Sequence, residues 1–306
     1  MLKRFFFLLL TVVTLSAGYQ ARAQESNITK EDLQLLQGLE HDLELATDSM
    51  YHSPIDDMHI VYCENFVKLL VRALRVPNSF YYPFTKLQDK INIIYPEDKS
   101  FRIFNWNIAT SEINVRYYGA IQMPSAGLKL YPLVDYSSEM TKGVEDSILT
   151  GSKWFGAIYY NIIKHDVDGE PVYTLFGLNA SSLLSNRKVL DPLRFTPDGP
   201  VFGAPIFNVR LEPGQTRVNR FVLEYKKDAQ ASMNWDKELN AIFFDRLVSS
   251  MNDPNRKYTF VPSGQYDGLR WGNNGHWNFV EDLIPLLQMK DGDAPAPKPV
   301  SKQIKE

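Results

Sequence analysis

A histidine and a cysteine four residues apart on one helical face are a common start for a metal site, and His59 and Cys63 have that spacing. Such a site needs two or three further ligands, and local spacing fixes none. His52 and Asp56 are near, but His52 precedes the expected helix start. Cys63 adjoins an apolar stripe that includes Tyr62 and Phe66, so a buried structural thiol is the simpler account and no metal is expected. Asp166-Val167-Asp168-Gly169-Glu170 has the acidic opening of a calcium loop. The position where that loop needs a bidentate glutamate is Gly177, so the run reads as a hairpin turn.

Ser263, Asp267 and His276 supply the side-chain types of a nucleophile, an orienting acid and a base, yet no Gly-x-Ser-x-Gly elbow surrounds a serine. Glu112, Asp135, Glu139, Glu145, Glu224 and Asp228 are all eligible for two-carboxylate glycoside hydrolysis, and the sequence selects no pair among them. A glycine-rich phosphate loop after a strand is missing, and no cofactor is expected.

Recognition chemistry is densest near the C-terminus. Tyr266, Arg270, Trp271, His276 and Trp277 lie between Gln265 and Phe279 with Asn273, Asn274 and Asn278; Trp235 and Tyr258 precede them. Rings beside amides and a guanidinium suit a weak ligand-binding surface for a sugar, a peptide or a protein. The competing account makes the same rings cross-strand pairs that stiffen a hairpin. With Asn273-Asn274 as its loop, Trp271 faces His276 and Arg270 faces Trp277; with Asn274-Gly275, Gly272 faces Trp277. Tyr266 and Trp271 are an odd number of residues apart, which puts them on opposite faces of a regular strand.

The elements that must position these residues are mostly strands. Thr29 and Asp32 resemble a capping box, and Leu33, Leu36, Leu39 or Glu40, and Leu43 recur at helical spacing until about Met50. Ser53-Pro54 is a second helix start, followed by a stripe of Met58, Tyr62, Phe66, Leu69, Leu70 and Ala73 that Pro77 ends. From Ile91 onward short apolar runs alternate with turn residues. Hairpins are expected around Pro96-Glu97-Asp98-Lys99, residues 124 to 127, Asp168-Gly169 and Thr196-Pro197-Asp198-Gly199. Further strands are expected at Val218 to Tyr225 and Ala241 to Leu247, with an ambiguous stretch around Ser232 to Trp235. Tyr258 to Val261, Gln265 to Trp271 and His276 to Val280 read as three separate strands.

The fold class is therefore mainly β: a hairpin-rich antiparallel domain over 81–290 with an N-terminal helical pair over 24–80. A curved meander, a partly closed barrel and a propeller-like arrangement all fit the turn spacing. Residues 291–306 alternate Pro295, Pro297 and Pro299 without an aromatic residue, a composition expected to stay disordered.

Residues 1–23 have the three parts of a secretory signal: Lys3 and Arg4, an apolar run from Phe5 to Leu15, and Ala21-Arg22-Ala23 for the peptidase. Cleavage there leaves Gln24 first. The apolar run is shorter than the roughly 20 residues that span a bilayer. The mature chain is expected to lack a transmembrane segment, since Lys68 and Arg72 interrupt its most apolar stretch. A single cysteine cannot close an internal disulfide, which favours a bacterial envelope or secreted protein over an exported eukaryotic one. Asn27-Ile28-Thr29 and Asn179-Ala180-Ser181 fit the glycosylation pattern, which matters only in a eukaryote.

The leader carries three of the 33 Lys and Arg, which leaves 30 against 36 Asp and Glu, a net charge of −6. That balance, without a basic cluster, excludes nucleic acid as the expected partner. The expected function is an exported, non-catalytic binding or scaffold module with a protein or glycan partner, in the periplasm or outside the cell. The alternative is a periplasmic hydrolase of glycans or peptides.

Overall fold

The computed structural model describes residues 28–111, 114–140, 143–209 and 217–284. The expected signal sequence, its expected cleavage site and the proline-rich tail lie outside the described residues.

Helix α1 (Lys30–His52) starts where the sequence places it, with the Thr29 hydroxyl accepting from the Asp32 backbone N–H at 3.1 Å. Its packed face begins at Leu36 and continues through Leu39, Glu40, Leu43, Thr47 and Met50. Leu33, expected in that stripe, stands 39% exposed. Helix α2 (Asp56–Leu74) begins later than Ser53-Pro54 suggests, because the Ser53 hydroxyl accepts from the Ile55 N–H and closes a local turn ahead of the helix. Cys63, Phe66, Leu70, Ala73 and Leu74 form its buried stripe.

Strands β1 (Asn92–Ile94), β2 (Arg102–Ser111), β3 (Asn114–Gln122) and β4 (Leu130–Val134) make an antiparallel meander in that order. A second sheet takes β5 (Leu149–Thr150), β6 (Ile158–Val167), β7 (Glu170–Asn179), β8 (Ser185–Thr196) and β9 (Gly199–Phe202) in the order β5-β9-β8-β7-β6. β10 (Phe207–Asn208) leaves for a third sheet, and β11 (Phe221–Lys226) returns to pair with the edge of β8 that β9 leaves open. β12 (Met233–Asp236), β13 (Ala241–Ser249), β14 (Phe260–Trp271) and β15 (Trp277–Ile284) complete the third sheet, ordered β10-β15-β14-β13-β12. Only the short β10–β15 pair among these is parallel.

Side-chain alternation shows how the sheets stack. Along β2, Phe104, Trp106 and Ile108 pack under the two helices, while Ile103 faces the second sheet. Along β7, Tyr173 and Leu175 face the first sheet, while Val172 and Phe176 face the third. The result is four layers, helices then three sheets, with three apolar cores between them. Strands with a core on each side have no polar face to show, and β7 is buried without interruption from Val172 to Gly177.

Of the expected arrangements, antiparallel β hairpins with two N-terminal helices are what the protein has. Among the described residues no sheet closes into a barrel. Two expected strands are one: the break at Pro262-Ser263-Gly264 is a shift of register against β13 inside β14, not a turn. The last hairpin has neither expected register, since Trp271 pairs with Trp277 across a loop of five residues, Gly272 to His276. That loop is held by backbone bonds from Gly272 N–H to His276 O and Gly275 N–H to Gly272 O, with side-chain bonds between Asn274 and Asn278.

Candidate functional site

The five aromatic and basic residues of the terminal hairpin do not converge on one surface. Trp277 is fully enclosed between the second and third sheets, where its indole N–H donates to the Thr174 hydroxyl at 3.1 Å. Trp271 is half-buried beside it, edge-on at 5.2 Å. Tyr266 turns the other way and meets Phe243 at 5.9 Å. Arg270 is exposed, with a long 3.5 Å contact to the Leu239 carbonyl. His276 sits in the loop with Nδ1 against the Asn274 carbonyl.

Those tryptophans meet a residue the sequence reading passed over. His165, near the end of β6, stacks on Trp271 at 4.1 Å and meets Trp277 edge-on at 4.8 Å. Its Nε2 is buried without a hydrogen-bond partner among the described residues. Burial pushes the imidazole down to about 4, against a smaller opposing pull from Asp166. At neutral pH it is an uncharged flat ring in an aromatic seam. An isolated histidine in a strand carries no local signal of such a role.

Most of the other sequence candidates are tied down. His59 has its two ring nitrogens 3.1 and 2.9 Å from the carbonyls of Ala109 and Ser53, and the Cys63 sulfur accepts from the Trp106 indole at 3.4 Å. Their partners are backbone and an indole, and the described residues hold no cluster of three or more metal-binding side chains. Asp168-Gly169 is the two-residue turn of the β6–β7 hairpin, both residues at positive φ. Asp267 belongs to Arg246, which grips its carboxylate with Nε and Nη2 and also reaches Asp282 at 3.0 Å. It is therefore not the acid of a triad, and the Ser263 hydroxyl instead accepts from the Gln265 N–H. Among the carboxylates, Asp135 accepts from the Tyr117 and Ser137 backbones, Glu224 pairs with Arg187 and Asp228 pairs with Lys226. Glu112 lies outside the described residues.

Three fully buried charges have structural partners. Arg102 is fully buried inside a ring cage of Phe80, Phe84, Tyr95 and Phe104, and it donates to Gln122, Tyr95 and the Tyr82 and Ser79 carbonyls. Asp191 and Arg220 form an ion pair at 2.8 Å with both side chains fully buried. Burial pushes the Asp191 carboxyl up, opposed by Arg220 and by the Tyr159 hydroxyl at 3.1 Å. No solvent reaches any of the three, so none meets a substrate.

A concave feature with free polar groups lies where the first two sheets meet at an edge. β4 runs beside the 3-10 turn Gly151–Lys153 and the β8–β9 turn, and these enclose a cleft of about 420 Å³. Its walls are Tyr131, Pro132, Val134, Pro200 and Val201; Thr150, Ser152, Thr196 and Asp198 stand at its polar positions. Two glycines let the walls approach. A Cβ at Gly151 would sit 2.8 Å from the Pro132 carbonyl oxygen, and Gly199 has φ +123° with the Tyr131 ring directly beyond it. The Thr150 and Ser152 hydroxyls are 2.9 Å apart, and the Thr196 hydroxyl donates to the Gly199 carbonyl at 3.0 Å. Among the described residues, neither the Asp198 carboxylate nor the Tyr131 hydroxyl has a hydrogen-bond or ionic partner. The sequence reading had Asp198 only as a turn residue and Tyr131 only as part of a strand.

In the described residues no helix is long and apolar enough to cross a membrane. Compared with known protein families, with curated proteins and with solved structures, the chain matches none.

Proposed function

We propose that this protein is an exported, non-catalytic binding module of the bacterial envelope or its exterior, and that the cleft between β4 and β9 is its binding surface. One observation carries the reading: the cleft is preformed and mostly apolar, and Asp198 is the single carboxylate among its lining residues. Small-ligand sites have this make-up, apolar walls with a few placed polar groups. Glycoside hydrolysis needs two facing carboxylates, and peptide hydrolysis needs a nucleophile with a base or a metal. Cleft lining of this kind supports holding a ligand rather than cleaving one.

The test is retention of the mature chain on the insoluble envelope fraction of its own cell, compared with Val201→Trp, which fills the cleft from one wall. Retention by the wild type, loss in the variant and an unchanged mass profile of the fraction support the reading. Fragments that appear with time and need the wild-type chain would instead make it a hydrolase.

A further inference from the structure

The cleft carries more than a general capacity to bind, and on the reading of it as a binding site we infer that its ligand is a neutral saccharide. The amphipathic layout is the reason. A pyranose has an apolar C–H face and a polar hydroxyl edge. The cleft offers Tyr131, Pro132, Pro200 and Val201 to the first, and the Asp198 carboxylate with the Thr150–Ser152 hydroxyl pair to the second. Asp198 has both oxygens free among the described residues, and a free carboxylate accepts from two neighbouring sugar hydroxyls. The unpartnered Tyr131 hydroxyl adds a donor at the ring's edge.

Other ligand classes fit less well. Phosphate and other anions meet Asp198 with no cation among the lining residues to offset it. An acyl chain would cover the carboxylate and hydroxyls and leave them unpaired, which is costly. An extended peptide adding to the β4 edge meets Pro132, which has no N–H to donate to a ladder. The volume, about 420 Å³, falls within the range of small-ligand sites, roughly 300–1,000 Å³.

The experiment titrates the mature full-length chain with chitotriose, cellotriose, maltotriose and mannotriose to millimolar concentration. Backbone amide shifts of Gly151, Gly199 and Val201 are followed, with affinity read by calorimetry. The expected result is that at least one trisaccharide moves these amides saturably and Asp198→Asn weakens it about tenfold or more, the range of a lost hydrogen bond to a charged group. The urea midpoint should stay unchanged, since Asp198 is exposed. The inference is overturned if none of the four moves these amides, or if Asp198→Asn leaves the affinity intact. The two readings then separate. Trisaccharides that fail while Val201→Trp still abolishes envelope retention remove the saccharide and leave the cleft as a binding site. Retention that Val201→Trp does not alter removes both.

Discussion

Replacing Arg220 with methionine isolates the one ion pair among the described residues whose two side chains are both fully buried. In the native state its guanidinium meets Asp191 at 2.8 Å, donates to the Val144 carbonyl at 2.6 Å and lies 5.7 Å from the Phe155 ring centre. Around Asp191 the chain continues to the Tyr159 hydroxyl and from there to the Trp154 indole, all within the core between the first and second sheets. Arg220→Met leaves a carboxylate with no cation and no water. Breaking a buried pair in this way costs about 3–5 kcal/mol. For a domain of this size that is a drop of about 6–20 °C in Tm. The variant also acquires a pH signature. With its cation gone, Asp191 binds a proton more tightly in the folded than in the unfolded state, so the variant is most stable at low pH and loses stability as pH rises. Its deficit should narrow as pH is lowered, by at most about 1.4 kcal/mol per pH unit. Asp191→Leu combined with Arg220→Met should recover at least half of the loss. What the double variant still lacks are the Val144 and Tyr159 hydrogen bonds, about 1 kcal/mol each. Urea unfolding followed by tryptophan fluorescence at several pH values measures all of this. A single variant that loses less than about 1 kcal/mol, or a double variant as unstable as the sum of the singles, refutes the reasoning.

The aromatic seam should respond to acid through His165. Its imidazole is held neutral down to about 4 against an ordinary value of 6.5, so folding stability is intact above pH 6.5 and falls as pH drops toward 4. The difference is at most about 3 kcal/mol, and partial contact of the ring with solvent reduces it to about 1–2 kcal/mol. Urea titrations at pH 7 and 4.5 should show that much less acid sensitivity in His165→Phe than in the wild type; equal sensitivity would remove His165 from the account. At the other end of the chain, export predicts a mature N-terminus at Gln24, which N-terminal sequencing of the secreted or periplasmic protein reads directly. A protein that still starts at Met1 would end the export proposal.

Elements set by local chemistry were legible in the sequence. Leu36, Leu39 and Leu43 repeat at the helical period, and the Thr29 cap marks the start of α1 where the structure has it. Asp168-Gly169 marks a hairpin turn because few residues satisfy its positive φ angles, and Pro197-Asp198 marks another because proline presets its own φ for a turn. Stacking of the sheets was not legible. A strand with one wet face alternates, but β2 and β7 are covered on both sides, so their sequences say "buried" without saying by what. The final hairpin misled for a related reason. Local sequence offered two loop registers, whereas a five-residue loop puts Trp271 opposite Trp277 and both turn toward His165, far earlier in the chain.

The cleft was hidden more thoroughly. Asp198 follows Pro197 in the β8–β9 turn, and proline then aspartate is ordinary turn chemistry, so its local role accounts for its presence completely. Tyr131 is an ordinary strand residue with one ring face toward the core. Neither residue leaves anything unexplained at its own position, and the site exists only because β4 lies against the β8–β9 turn. That contact depends on Gly151, where any side chain would collide with the Pro132 carbonyl, and on Gly199, whose φ of +123° an L side chain rarely adopts. The informative positions were therefore the two glycines rather than the residues that would touch a ligand. A glycine can be read from sequence as a permitted turn, but a close approach needs the second chain segment in view. Here the second segment is a strand of a different sheet.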